Sequence, residues 1–454
     1  MDKMNSASKK TLSIKTKLFY GMGDIGNAIA NTAVIYFLLI FYTDAAMVPP
    51  ALAGTALLIG KIWDAVNDPL FGWISDRVNP PRFGRRRFFM IIGALPLAVA
   101  LALLWIVPTG LTNVWLFVWI VITFILFDTF ITFTSVPYYA MTAELTDDYD
   151  ERSSLTAFRM LMGIPAYMIG AAATPALVAL FIIPRTGYAW TGLIYGIIAA
   201  ISLLVCAAGI KEKPTIKTAN EFRLPPFQAL KLVLQNKPFV QLILAYMIAN
   251  FGFVLIRTML AYFLTYQLGM KDQVPIVMLL LLVSVLIFIF PWKILSEKWN
   301  KGPAYALGLG IGALSVVGSF FLPNHPTPAI YIIAVIAGMG FSANWIFPWS
   351  MVPDVVEYDE VITGEKRGGI FYGIWGFAFK LTNALGVAVA GWVLQIFHYQ
   401  ANIQQTSQTL LGIRLFIGPA PAIIILLCLP LLIYYPVTRA KHAEIKQRLV
   451  KLAD

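Results

Sequence analysis

Long apolar runs separated by short polar segments cover most of the 454-residue chain. A helix that crosses a bilayer needs about 20 mainly apolar residues. The chain is 59% hydrophobic and 13% charged, a composition outside the range of soluble proteins. We therefore predict an all-α polytopic membrane protein with twelve transmembrane helices. The predicted spans are 20–42, 51–74, 88–107, 112–139, 155–183, 188–210, 238–266, 274–295, 302–322, 328–352, 369–397 and 410–435.

Lysine and arginine accumulate in alternate connections between these spans. The N-terminal segment, the connection after span two, the central segment and the C-terminal tail are basic, whereas the opposite connections hold little beyond Arg185 and Lys271. Basic residues favour the cytoplasmic side, so we predict a cell-membrane protein with both termini in the cytoplasm. The net charge of +11 follows from this topology and from contact with anionic lipids. It does not require a nucleic-acid partner.

The longest charged interruption divides the chain into halves of six spans each. The predicted domains are an N-terminal bundle (1–210), a cytoplasmic loop (211–237), and a C-terminal bundle with a basic tail (238–454). The N-terminal bundle contains the predicted cation site described below. Spans four and ten both end in a proline–aromatic pair followed by acidic residues: Pro137-Tyr138 before Glu144, and Pro348-Trp349 before Asp354. We interpret the halves as an internal repeat.

Two aspartates lie four residues apart within the second span. Asp64 and Asp68 share one face of a helix, with Asn67 beside them and Lys61 one turn earlier. An ionisable group at bilayer depth costs about 2.5 to 3.5 kcal/mol on insertion scales. Because two nearby carboxylates repel each other when ionised, the pair either shares a proton or attracts a cation. The pattern therefore predicts a binding site for a coupling cation, Na+ or H+.

A structural role is the alternative for these aspartates. Asp64 and Asp68 would then pair with Lys61 and Lys380 to hold helices together. Lys380 stands in the middle of the apolar run 369–397, so the aspartate pair is its most economical partner. The two interpretations can coexist, since a lysine can occupy a cation site until an ion or proton arrives.

Polar residues also recur on one face of span four. Asp128, Thr132 and Ser135 follow helical spacing, and Arg159 lies in span five. Their carboxylate, hydroxyl and guanidinium groups are suited to sugar hydroxyls. The candidate stacking surfaces are Tyr138, Tyr139, Trp345, Tyr372 and Trp375. The alternative for these aromatic residues is packing or a lipid-facing belt, and the alternative for Arg159 is an ion pair with the acidic loop after span four.

Several motifs occur in a set order along the whole chain. They are Tyr20-Gly-Met-Gly-Asp24-Ile-Gly26-Asn27, Trp63-Asp64-Ala65-Val66-Asn67-Asp68-Pro69, Asp354 with Glu357-Tyr358, and Gly369-Ile-Phe-Tyr372-Gly with Phe377-Ala-Phe-Lys380. This set resembles the major facilitator superfamily and, within it, the glycoside-pentoside-hexuronide cation symporters related to the melibiose permease. The resemblance implies two pseudo-symmetric six-helix bundles. It also implies a cation site of Asp64, Asn67, Asp68 and Thr132, with Lys380 as its charge partner.

The resemblance further implies cation-coupled import of a sugar, glycoside or hexuronide by alternating access. The sugar-binding acids of the melibiose permease align with Ala28 and Ser135, and its first-helix lysine aligns with Asn27, so the resemblance does not extend to galactoside recognition. Asp24 and Asp128 are candidates to replace those acids. The predicted substrate site contains Asp24, Asn27, Asp128, Ser135, Tyr139, Arg159, Trp345, Tyr372 and Trp375. The alternatives are cation-coupled transport of a lysolipid or another amphiphile and, with less support, proton-driven efflux.

The basic run after span two resembles the loop that gates alternating access in this superfamily. Acids on the same face would complete a lock that opens as the two halves rock. The predicted cytoplasmic gate contains Asp76, Arg77, Arg85, Arg86, Arg87, Glu144, Asp147, Asp354 and Glu357.

The sequence offers no pattern typical of an enzyme. Its three histidines, His325, His398 and His442, are scattered, and Cys206 and Cys428 both lie in apolar spans. We therefore predict a transporter without a cofactor or a metal beyond a transported Na+. We expect a monomer whose partners are a small-molecule substrate and membrane lipids.

Overall fold

The computed structural model describes residues 12–78, 84–146, 149–210, 233–364 and 368–453. Within these ranges every regular element is a helix and no strand occurs, which confirms the all-α prediction. A helix satisfies its own backbone hydrogen bonds, as a segment surrounded by lipid must. Eleven helical segments of the described residues are long and apolar enough to cross a membrane.

The first half of the chain contains six long helices. They are α1 (Ile14–Ile40), α2 (Pro50–Arg77), α3 (Arg85–Leu104), α4 (Asn113–Leu145), α5 (Tyr149–Ala179) and α6 (Pro184–Gly209). Helix α2 is 28 residues long, but it is absent from the eleven apolar segments. Its charged residues Lys61, Asp64 and Asp68 lower its apolarity. It is the helix that carries the predicted cation site.

The second half repeats this order with one additional break. Its helices are α7 (Lys237–Tyr262), α8 (Val274–Lys298), α9 (Lys301–Gly318), α10 (Ala329–Thr363), α11 (Gly368–Ile396), α12 (Ser407–Ile417), α13 (Pro419–Ile433) and α14 (Arg439–Ala453). The predicted twelfth span, 410–435, is thus two helices joined at Gly418, where Pro419 starts the second helix. A proline is well accepted at the first helical position because it has no N–H to leave unpaired.

The first helix of each half ends in a π-helical turn. Phe41–Ala45 extends α1, and Phe263–Gln267 extends α7. π-Helical turns are rare, so their occurrence at equivalent positions supports the interpretation of an internal repeat.

The chain divides into two compact units. One comprises Met1–Ala46 with Ile59–Ala219, and the other comprises Met47–Leu58 with Asn220–Asp454. The first turns of α2 therefore group with the second unit. The predicted domain bounds stay a prediction. Close backbone packing explains this grouping, because a Cβ on Gly54 would lie 3.0 Å from the Ala388 carbonyl oxygen. Most of the predicted central loop, residues 211–232, lies outside the described part of the chain.

Small residues allow the helices of each unit to approach closely. In the first unit, a Cβ on Gly26 of α1 would lie 2.6 Å from Ser202 Oγ of α6. In the second unit, a Cβ on Gly338 of α10 would lie 2.5 Å from the Leu281 carbonyl oxygen of α8. Between helices in lipid, van der Waals packing replaces the hydrophobic driving force, and small residues make that packing possible. This close packing holds the polar side chains of the helices in place.

Candidate cation and substrate sites

A lysine joins two buried acids between α2 and α4. Lys61 Nζ lies 3.1 Å from Asp64 Oδ2 and 3.2 Å from Asp128 Oδ1. Asp64 is 6% exposed and Asp128 is 1% exposed. The Lys61 ammonium also lies 5.3 Å from the centroid of the Phe124 ring. Asp128, which the sequence suggested for the substrate site, thus lies in the same charged cluster as Asp64.

Two further hydrogen bonds extend this seam between α2 and α4. Asn67 Nδ2 donates to the backbone carbonyl of Asp128 at 3.0 Å, and Thr132 Oγ1 donates to Asp68 Oδ1 at 3.2 Å. Asn67 is fully buried, and its Oδ1 has no hydrogen-bond donor among the described residues. The seam therefore holds all four residues of the predicted cation site.

The chemistry of the seam suits a small hard cation. Asp64, Asp68 and Asp128 with Lys61 carry a formal charge of −2 when all four are ionised. Buried charges are costly unless they are compensated, and a bound cation or proton is one way to compensate carboxylates. Carboxylate, amide and hydroxyl oxygens are hard ligands. Among the described residues, no group of three or more His, Cys, Asp or Glu is placed to hold a metal ion. A cation in the seam would therefore need the side-chain oxygens of Asn67 and Thr132 as additional ligands.

A second polar cluster lies where α1, α4 and α5 meet. Tyr139 Oη accepts a hydrogen bond from Asn27 Nδ2 at 2.8 Å and donates one to Asp24 Oδ1 at 3.3 Å. The Arg159 guanidinium lies 4.9 Å from the centroid of the Tyr139 ring. Gly163 makes room for the acid, because a Cβ there would lie 2.5 Å from Asp24 Oδ2. Four predicted substrate residues are thus neighbours in the fold.

Arg159 is half-buried in this cluster, whereas Tyr139 is 42% exposed. Within the described part of the chain, no carboxylate lies within 4.0 Å of the Arg159 guanidinium. The acidic residues Asp147 and Asp148, which belong to the alternative ion pair, lie outside that part. Arg159 therefore presents a guanidinium on the face of a partly exposed tyrosine.

The remaining predicted substrate residues occupy other positions. Ser135 is half-buried on α4. Trp375 is fully buried in the second unit, where its ring stacks on Tyr246 at 4.3 Å, a position that fits the packing alternative. Trp345 and Tyr372 are 38% and 43% exposed. Their substrate roles stay predictions.

Lys380 lies half-buried on α11 in the second unit. It lies about one helical turn before Asn383 in sequence. Its proposed pairing with the aspartates of α2 stays a prediction.

Acids and bases pair at the helix ends of the first unit, where the sequence predicts a gate. Glu144 at the end of α4 accepts from Arg85 and from Arg86 Nε, the latter at 2.8 Å. Arg86 also donates to Ser75 Oγ at 2.6 Å, and Arg87 Nε donates to the Ala207 carbonyl at 2.6 Å. The side chains of Asp76 and Arg77, and all of Asp147, lie outside the described residues.

The second unit contains an equivalent ion pair. Lys301 at the start of α9 lies 2.6 Å from Asp354 Oδ2 of α10. His442 of α14 lies 2.9 Å from Glu357 Oε2. The α9–α10 pair corresponds to the α3–α4 pair of the first unit, as the repeat in the sequence predicts. Lys301 and His442, the partners of the acids Asp354 and Glu357, were not among the predicted gate residues.

Removing the acid of the first-unit pair is expected to destabilise the protein. Glu144→Gln leaves Arg85 and Arg86 without their shared carboxylate, and breaking a buried ion pair costs about 3–5 kcal/mol. We expect a clear fall in the melting temperature of the purified protein. The matched control is Glu297→Gln, because Glu297 is exposed and lies 3.8 Å from Lys293, so about 0–1 kcal/mol is at stake. Equal melting temperatures for the two variants would contradict this expectation.

One buried charged residue within a predicted span was not among the predicted site residues. Arg257 lies in α7 and is 7% exposed. It is the single charged residue in the predicted span 238–266. A lone arginine within an apolar span is a signal of function by itself, so the sequence contained enough information to select it.

Comparison with known proteins assigns the chain to a family. The profile of the family described as "MFS/sugar transport protein" matches residues 19–439. A solved structure of a bacterial homologue of the human drug peptide transporters PepT1 and PepT2 superimposes with a TM-score of 0.67. The match covers 96% of this chain and 99% of that chain at 12% identity, a level that establishes the fold alone.

Three curated relatives match along almost their whole length. An uncharacterized symporter, sll1374, of Synechocystis sp. is 29% identical over 98% of both chains. The sodium-dependent lysophosphatidylcholine symporter 1 of Mus musculus is 28% identical over 100% of this chain and 91% of the relative. The sphingosine-1-phosphate transporter MFSD2B of Xenopus tropicalis is 28% identical over 96% of this chain and 91% of the relative.

These matches confirm the superfamily prediction and identify a transporter rather than an enzyme. The chain belongs to the MFS/sugar transport protein family and is a multi-pass membrane transporter of the major facilitator type.

Proposed function

We propose that this protein couples sodium entry to transport of a single-chain amphiphile with a phosphate head group, such as a lysophospholipid. The names of two relatives, a lysophosphatidylcholine symporter and a sphingosine-1-phosphate transporter, support this class over a sugar. Both of those substrates combine one long chain with a phosphate.

Arg159 is the observation that carries the substrate part of the proposal. Its guanidinium lies over the exposed Tyr139 ring and has no carboxylate within 4.0 Å among the described residues. Guanidinium groups bind phosphate through paired hydrogen bonds. Tyr139 and Asn27 add polar atoms beside it. Asp24 supplies a negative charge for the cationic part of a zwitterionic head group.

Helix α4 links the cation and the substrate in this proposal. It carries Asp128 and Thr132 of the cation seam and Tyr139 of the polar cluster. Thr132 and Tyr139 are seven residues apart, which corresponds to about 10 Å along a helix. An ion that draws Thr132 and Asp68 together shifts α4, and Tyr139 shifts with it. By linkage, a substrate that prefers the shifted helix tightens cation binding by the same factor.

The gate completes the proposed cycle. We infer that the Glu144 and Asp354 ion pairs lie on the cytoplasmic side, with both chain termini, and that they break when the protein opens inward. The basic connections of the sequence support this orientation.

Sugar or hexuronide symport is the second candidate function. The family description names sugar transport, and Asp24, Asn27 and Tyr139 present the hydroxyl, amide and carboxylate groups that bind sugars. The motifs of the glycoside-pentoside-hexuronide symporters support the same candidate, and an anionic hexuronide would also suit Arg159.

Uptake into proteoliposomes separates the two candidates. We expect an inward sodium gradient to drive accumulation of radiolabelled lysophosphatidylcholine, supplied on albumin, and an equal potassium gradient to fail. Glucuronate uptake is measured in the same vesicles. Sodium-driven uptake of glucuronate without lysophosphatidylcholine would favour the hexuronide candidate. Uptake of neither compound would contradict both substrate classes.

A further inference from the structure

A buried arginine in the second unit lacks an acidic partner. Arg257 of α7 is 7% exposed, and no carboxylate lies within 4.0 Å of its guanidinium among the described residues. Its ring contact is with Phe253, one turn earlier, at 5.9 Å from the centroid. A full positive charge therefore sits between helices without a matching negative charge.

The hydrogen bonds of Arg257 are also incomplete. One terminal nitrogen donates to Asn383 Oδ1 of α11. Within the described residues, the buried Nε of Arg257 has no acceptor. The hydroxyl of the adjacent Thr258 has no hydrogen-bond partner among those residues either. A guanidinium has five N–H donors, so a single amide acceptor satisfies a small part of it.

The surroundings of Arg257 form a polar seam between α7 and α11. Asn250 lies two turns before Arg257 and donates from Nδ2 to Thr382 Oγ1 at 2.7 Å. Asn383 Nδ2 bonds the Phe379 carbonyl at 2.7 Å, which fixes the amide so that its oxygen faces Arg257. Asn383 is half-buried rather than enclosed. At one end of the seam the buried side chains of Asn250 and Thr382 hydrogen-bond to each other. At the other end Asn383 is partly exposed.

A purely structural role explains this arrangement poorly. An arginine that only joins two helices is expected to satisfy its donors within the protein, because an unmet buried donor loses its hydrogen bonds to water without replacement. Arg414 of α12 shows the satisfied case: its Nε and a terminal nitrogen donate to the Phe320 and Leu322 carbonyls at 3.1 and 2.6 Å. Arg257 has the same charge and a similar aromatic neighbour but lacks such acceptors.

We propose that Arg257, oriented by Asn383, is an anion subsite of the second unit that binds the phosphate group of a ligand. A phosphate supplies several charged acceptor oxygens and compensates the buried charge. This inference rests on the proposed function in one respect, because the lysophospholipid is the expected source of the phosphate. The subsite itself requires only a phosphate or a similar oxyanion.

Ligand-induced stabilisation of the full-length protein in nanodiscs tests the subsite. The probes are lysophosphatidate, a monoacylglycerol with the same chain, and glycerol 3-phosphate. We expect wild type to bind lysophosphatidate at least about tenfold more tightly than the monoacylglycerol, because only lysophosphatidate carries charged acceptor oxygens for a guanidinium. Arg159 is the phosphate contact proposed for the first unit, so the Arg257 variants are made in an Arg159→Gln background. There Arg257→Gln should remove the remaining preference, and Arg257→Lys should retain part of it.

Two further variants separate binding from stability. Asn383→Asp places a carboxylate against the guanidinium, so it should keep the fold stable while removing the phosphate preference. Arg414→Gln is the matched control and should leave the preference unchanged even if it lowers stability. The proposal is overturned if Asn383→Asp and Arg257→Lys keep the full preference, or if Arg257→Gln weakens both lipids equally.

The third probe separates this inference from the proposed function. Glycerol 3-phosphate stabilisation that depends on Arg257, without stabilisation by lysophosphatidate, would support the subsite and contradict the lipid substrate. Stabilisation by both lipids that ignores Arg257 would support the lipid substrate and contradict the subsite.

Discussion

Asp68→Asn is expected to abolish the stabilisation of the purified protein by sodium. Asp68 is bonded to Thr132 at 3.2 Å in the seam that also holds Asp64 and the unsatisfied oxygen of Asn67. Lys61 already lies against Asp64 and Asp128, so Asp68 is the acid that the lysine does not bridge. An amide at this position removes the negative charge with little change in volume.

Melting curves in sodium chloride and in choline chloride measure this effect without knowledge of the substrate. Wild type is expected to melt at a higher temperature in sodium, because a ligand that binds only the folded state stabilises it by about 2.7 kcal/mol at 100 times its Kd. In Asp68→Asn the two curves should coincide. The same variant should reduce uphill accumulation of substrate to simple equilibration, whereas a tenfold sodium gradient supports up to about tenfold accumulation in wild type.

The control for this experiment is another aspartate-to-asparagine change. Asp272 is exposed in the turn Lys271–Gln273, and Asp272→Asn should keep the full response to sodium. A sodium response in Asp68→Asn equal to that of wild type would show that the cation binds elsewhere. If wild type responds to pH and not to sodium, the same seam carries a proton instead.

Gly340→Ala is expected to cause the largest loss of stability among glycine substitutions in the second unit. A Cβ at this position of α10 would lie 2.5 Å from Gly312 Cα and 2.6 Å from the Gly308 carbonyl oxygen of α9, and closer still to Gly312 N. All three atoms belong to the backbone, so one helix must move. Overpacking of this kind costs about 1–3 kcal/mol, and more where the neighbour is rigid.

Gly376→Ala is the matched control, because Gly376 is also helical and a Cβ there meets nothing within 4 Å. Alanine replaces glycine in a helix with a gain of about 0.5–1 kcal/mol. We therefore expect opposite shifts in melting temperature for the two variants, measured in the same detergent. A Gly340→Ala protein as stable as wild type would contradict the close packing of α9 on α10.

The positions of the helices followed from the sequence because membrane spans depend on local composition. An apolar run of sufficient length forms a helix in lipid whatever surrounds it. The break at Gly418 was not predicted, although Gly418-Pro419 is a local helix-breaking signal, because the run 410–435 is mainly apolar and long enough for one span. A Cβ on Gly418 would lie 2.9 Å from the Val316 carbonyl oxygen of α9.

The candidate site residues that lie close together on one helix could be predicted from the sequence. Asp64, Asn67 and Asp68 share a face by helical periodicity alone, and the cost of buried charge identified them as candidates for function. The same argument could have identified Arg257. The sequence could not show that Arg257 has no acidic partner among the described residues, because that depends on which side chains α11 brings near.

The sequence by itself determined the helical class, the number of long spans and the residues with a charge to compensate, since these depend on neighbours in the chain. Tertiary structure alone decided that Lys61 bridges Asp64 to Asp128 and that Tyr139 joins Asn27, Asp24 and Arg159. Those contacts join separate helices, and their geometry follows from how small residues let the helices pack. Partners of a buried charge are therefore a property of the fold.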